Sequence, residues 1–112
     1  MRPLIVVNFK TYETAHGVGA EQLARAMEAA DSATDSADFV AVVSAFDLAP
    51  VVAAAPSLQV WTQHLDPVGF GSNTGWLHPS TAIERGASGT IINHAEHKVS
   101  LEHVENLLAQ LP

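Results

Sequence analysis

Leu4-Ile5-Val6-Val7-Asn8-Phe9-Lys10 decides how the rest of the chain is read. Its four consecutive apolar residues describe a strand covered on both faces, the mark of a parallel sheet. The run then gives way to Asn8 and Lys10, polar residues at the strand exit. Phe39 to Val43 is a second run, Leu58-Gln59-Val60-Trp61 a weaker third and Thr90-Ile91-Ile92 a fourth. Helical patterns separate them. Ala20, Leu23, Ala24, Met27 and Ala30 recur at the helical period. Asp47 to Ala55 reads as a short helix with Asp47 as N-cap and Pro56 as stop. Pro79 to Arg85 is a third, capped by His78 or Ser80 and closed by Gly86. The last starts at Ser100 and puts Leu101, Val104, Leu107, Leu108 and Leu111 on one face. The order βαβαβαβα predicts an α/β fold with a parallel sheet and right-handed crossovers.

The 112 residues are a one-domain length, so 1–112 is read as a single domain. With 47% hydrophobic residues the chain is no disordered tail. The lack of cysteine excludes disulfides, thiolate metal sites and a cysteine nucleophile. A net charge of −7, with five scattered bases, leaves no stripe for nucleic acid. No segment reaches the roughly 18 apolar residues of a membrane span. Pro3 to Val7 is too short for a signal-peptide core. A soluble cytoplasmic protein is therefore expected. The acid excess fits either a high-salt cytoplasm or an ordinary solvated surface.

Ligands of parallel α/β folds bind beyond the carboxyl ends of the strands. Those ends here carry Asn8 with Lys10, then Ser44, then Gln63 with His64, then Asn93 with His94. Lys10, framed by Phe9 and Tyr12, is either an anion-binding cation or a surface lysine. His94 either donates a hydrogen bond to a substrate oxygen or merely satisfies a backbone carbonyl. The loop from Asp66 to His78, with Gly69, Gly71 and Gly75, is either functional or surface irregularity. Six histidines raise the question of a metal. His94-Ala95-Glu96-His97 falls one residue short of H-x-x-E-H, and H-E-x-x-H is absent, so no metal is expected. Phosphate-loop, dinucleotide and nucleophile-elbow motifs are absent as well.

Several of these segments together resemble one family. Asn8-Phe9-Lys10-Thr11-Tyr12 is similar to the N-x-K signature of triosephosphate isomerase in its archaeal form. The similarity continues through Val42-Val43-Ser44, Thr62-Gln63-His64-Leu65-Asp66, Gly71-Ser72-Asn73-Thr74-Gly75 and Gly89-Thr90-Ile91-Ile92-Asn93-His94-Ala95-Glu96. The resemblance implies that Asn8 and Lys10 hold the active site and attract the substrate's oxygens. It implies that His94 is the neutral electrophile polarising the carbonyl of dihydroxyacetone phosphate or glyceraldehyde 3-phosphate. Glu96 matches a buried carboxylate that organises Lys10 and a neighbouring subunit. Gly71, Ser72, Asn73, Thr74 and Gly75 match a loop that enters the partner's site in a homo-oligomer. The family is itself the known case of a glutamate base paired with a neutral histidine, and that pairing belongs to the family rather than to these spacings. No cofactor is implied. Two departures stand out: Ala95 occupies the place of a family serine, and His97-Lys98 that of a basic pair.

A (β/α)₈ barrel takes about 250 residues, so the expected fold is a parallel (βα)₄ half, the amino-terminal one. The catalytic glutamate then belongs to the missing C-terminal half. Glu13, Glu21, Glu28, Glu84, Glu102 and Glu105 all fall on predicted helices or outside the matching motifs. The expectation is an isomerase by family whose chain alone is inactive. The rival is a non-catalytic half-barrel, natural or engineered, that self-associates through its open edges.

Overall fold

Strand β1 (Leu4–Asn8) pairs in parallel with β2 (Asp38–Val43), in a register running from Leu4↔Asp38 to Asn8↔Val42. β3 (Gln59–Thr62) joins β2, and β4 (Gly89–Thr90) joins β3, both in parallel, giving the order β1-β2-β3-β4. Helices α1 (Val18–Ser32), α2 (Leu48–Ala54), α3 (Pro79–Glu84) and α4 (Leu101–Gln110) alternate with the strands. The computed structural model describes residues 2–112. Its radius of gyration is 14.3 Å, slightly above the roughly 13 Å of a closed domain this long, as suits an open arc.

Strand pleating sorts the side chains into two layers. Ala41, Val43 and Val60 join Ala20, Ala24, Met27, Val51 and Leu107 in the main buried cluster, between sheet and helices. Their neighbours Val40, Val42 and Trp61 alternate to the other face, which a closed barrel would enclose. Gly89 is paired with Trp61, and a Cβ there would lie 2.6 Å from the indole nitrogen. Only glycine leaves that space for the ring.

Five expectations need correction. β1 is not covered on both faces: as an edge strand it leaves Leu4, Ile5 and Val6 half-exposed. The β4 ladder ends at Thr90, although Ile91 N–H still donates to the Thr62 carbonyl at 3.0 Å. Among the described residues β4 has a partner on one side only, so Ile91 and Ile92 lack a second ladder to extend them. Asp47 precedes α2 without capping it by its side chain; its backbone is already α-helical, and its Oδ1 accepts the Gly17 N–H at the start of α1. His78 precedes α3 but makes no side-chain cap bond to it; its ring meets the Thr81 hydroxyl instead. The α4 stripe is buried only at Leu107, while Leu101 and Leu108 are 72% and 56% exposed. An apolar stripe is covered only where another element lies against it. The Ser100 cap is present, its Oγ accepting the His103 N–H at 3.1 Å.

Two substitutions separate these roles. Leu107→Ala should lower the unfolding free energy by about 2–5 kcal/mol, whereas Leu101→Ala should stay within about 0.5 kcal/mol of the parent. Urea denaturation followed by circular dichroism reads both.

Candidate active site at the strand exits

The parallel order brings every strand exit to one end, and there the chain turns sharply. Lys10 has φ +52°, a left-handed conformation that a non-glycine residue holds at a cost of about 1–3 kcal/mol. Three contacts stabilise it. Asn8 Oδ1 accepts the Lys10 N–H at 2.9 Å. Gln63, from the exit of β3, donates its Nε2–H to the Lys10 carbonyl at 2.8 Å. Phe9 between them is buried and donates its N–H to the Val42 carbonyl at 2.9 Å. The turn therefore aims Lys10 along the exits instead of away from them.

The β4 exit is built similarly. Asn93 has φ +64°, and its Oδ1 accepts the Val99 N–H at 3.0 Å. The next turn closes through His97 N–H to the His94 carbonyl at 2.8 Å. The Glu96 N–H donates to His94 Nδ1 at 3.0 Å. An N–H pointing at Nδ1 uses that nitrogen as an acceptor, the arrangement in which Nε2 faces the cleft as the donor.

Glu96 links the two turns. Its Oε1 lies 3.1 Å from Lys10 Nζ, and its Oε2 lies 3.6 Å from His94 Nδ1. That hydrogen bond and the charge of Glu96 raise the Lys10 pKa above the ordinary 10.5. The Tyr12 ring, 5.9 Å from the ammonium, flanks it. Glu96 itself is 60% exposed, contrary to the buried carboxylate that the resemblance implied. Its turn lies beside an edge strand, where no further strand among the described residues covers it.

Asn8, Lys10, His94 and Glu96 all line one cleft of about 210 Å³, together with Gln63 and His64. A larger groove of about 400 Å³, bordered by Phe46, Leu48, Trp76 and Leu77, is more apolar and lacks such convergent groups. Gly71 to Gly75 stand apart, on the surface of the loop between Asp66 and His78. Asp66 fastens that loop, its Oδ2 accepting the Leu77 N–H at 2.8 Å and its N–H reaching the Leu77 carbonyl. Sequence reasoning left Gln63 without a role beyond its strand exit; its place in the Thr62-to-Asp66 motif was the available signal.

A parallel (βα)₄ sheet with polar residues gathered at its strand exits defines the class: half of a TIM-type (β/α)₈ barrel. A triosephosphate isomerase from Bartonella henselae shares this fold, with a TM-score of 0.69 at 24% identity over 86% of this chain and 39% of that one. The sequence profile of triosephosphate isomerase matches residues 3–111, and the chain belongs to that family. It is 35% identical over 108 residues to the triosephosphate isomerase of Archaeoglobus fulgidus, covering 96% of this chain and 48% of that protein. To that of Methanococcoides burtonii it is 40% identical over 105 residues, covering 94% and 47%. The chain thus spans about half the length of the curated relatives it matches.

The Lys10–Glu96 pair has a testable pH signature. Because pairing raises the lysine pKa, its stabilisation is complete below the ordinary lysine value and lost as pH rises through the higher folded one. NMR titration of Lys10 Nζ should show the pKa falling back towards 10.5 in Glu96→Gln.

Proposed function

We propose that this chain, residues 1–112 acting as one domain, carries the electrophilic half of a triosephosphate isomerase site. The observation that supports it most is the state of His94. The Glu96 amide at Nδ1 leaves the Nε2–H as a donor without placing a full positive charge in the site. Such a donor stabilises negative charge developing on a substrate carbonyl oxygen. In the isomerisation of dihydroxyacetone phosphate and glyceraldehyde 3-phosphate, a base removes a proton from the carbon beside that carbonyl. His94 holds the enediolate oxygen, while Lys10 draws in the anionic substrate and Asn8 sets the Lys10 turn. This chemistry requires no cofactor, and in the proposal it serves glycolysis and gluconeogenesis in the cytoplasm.

The base is assigned to a C-terminal half. Glu96 is the one carboxylate lining the cleft among the described residues, and it is engaged by Lys10. This chain alone is therefore inactive in the proposal. A second reading, a half-barrel that only self-associates, is favoured by β1: Leu4, Ile5 and Val6 are 48%, 42% and 43% exposed on an edge strand. A homo-oligomer using the Gly71 to Gly75 loop belongs to either reading.

A coupled isomerase assay separates them. The chain alone should give background turnover, and mixing it with the C-terminal half of an archaeal relative should restore activity. His94→Ala or Lys10→Ala should then cost about 10²–10⁴-fold. Turnover by the chain alone that is lost in His94→Ala would show that one of its own carboxylates is the base. Recovery indifferent to both substitutions would remove these residues from the mechanism. Self-association detected by sedimentation, with no recovery although both halves fold and bind, would favour the second reading.

A further inference from the structure

A second cluster, which shares only His64 with the Lys10–His94 cleft, gathers where β3 ends. His64 and Asp66 leave the strand two residues apart, and His103 reaches them from the first turn of α4. One donor atom from each lies within 4.8 Å of the others. The two strand-exit residues are well enclosed, with side-chain exposures of 16% for His64 and 8% for Asp66.

The surroundings hold each group in place. Asp66 spends Oδ2 on the Leu77 N–H, which leaves Oδ1 facing His64 Nε2 at 2.7 Å. The His97 ring stacks on His64 with centroids 3.9 Å apart and planes 6° from parallel, fixing the plane of that imidazole. His103 hydrogen-bonds through Nε2 to the Leu65 carbonyl at 3.1 Å, and its N–H is tied to the Ser100 cap. Such outer contacts orient metal ligands in known sites.

We propose that His64, Asp66 and His103 bind one late first-row divalent cation, Zn²⁺ being the best match in chemistry. Two imidazole nitrogens and one carboxylate oxygen are ligands such ions favour, and three protein ligands leave a position for water. Bonds of about 2.0–2.2 Å around a tetrahedral ion place donors roughly 3.2–3.6 Å apart. The cluster reaches that spacing if the His103 side chain closes by about an ångström and the His64–Asp66 contact opens by about half that. The ion replaces the proton shared between His64 Nε2 and Asp66 Oδ1, and His64 then carries its proton on Nδ1. The bound cation joins α4, the exit of β3 and the Asp66–Leu77 clasp of the long loop. It acts as a structural cross-link outside the carbonyl-polarising residues.

Calorimetric titration of the 112-residue chain with Zn²⁺ should show one ion per chain. Co²⁺ in its place should develop visible d–d absorption typical of low-coordinate nitrogen and oxygen ligation. His103→Gln and His64→Gln should each weaken Zn²⁺ binding at least tenfold, whereas His16→Gln and His78→Gln should leave it unchanged. His103→Cys, which supplies another zinc ligand at the same place, should retain binding and add a thiolate-to-Co²⁺ band. Circular dichroism verifies that each variant folds. Absence of saturable binding overturns the site. So does one-to-one binding unaffected by His103→Gln, or binding of several ions shared equally among all histidine variants.

Discussion

The Asn8 side chain accepting the Lys10 N–H is the contact on which the site depends. Without it the chain leaving β1 has no reason to adopt a left-handed turn at a lysine, a conformation most side chains avoid. Phe9, buried between Asn8 and Lys10, anchors the turn from below, and Gln63 ties it to β3. The strain is held by the sheet itself, because Gln63 is in reach only through the parallel β1-β2-β3 order. The ammonium is thus delivered across the exits to Glu96.

Glu96 faces two groups with opposite consequences. Towards Lys10 it makes a close ion pair at 3.1 Å. Towards His94 its carboxylate oxygen is at 3.6 Å, but its own backbone N–H is nearer, at 3.0 Å from Nδ1. The amide hydrogen bond occupies Nδ1, and the Lys10 ammonium engages the carboxylate beside it. Ala95 adds no hydroxyl to this arrangement. His94 is therefore oriented by backbone, and Glu96 by a lysine from the other turn.

Local signals made much of the fold legible. The Ser100 cap, Pro79 at the start of α3 and the apolar run of β1 each act within a few residues. Where an element depends on a neighbour, the same signals failed. Leu101 and Leu108 follow the helical period as well as Leu107 does, yet both stay largely exposed. Ile91 and Ile92 have strand-forming side chains but lie where one ladder partner is missing. Asp47 has the chemistry of a cap, and it serves α1 instead of the helix it precedes.

The sequence by itself determined the alternation of strands and helices, the strand exits that carry Asn8, Lys10 and His94, and the resemblance that names their family. These follow from residue type and short spacing, which local backbone preferences and hydrophobic period translate directly. The tertiary structure decided that Lys10 meets Glu96 across 86 residues and that Glu96 is exposed. It also decided that His103, one polar residue on an ordinary helix, stands over His64 and Asp66. Such juxtapositions arise from strand order and helix placement, which depend on packing between segments far apart in the chain.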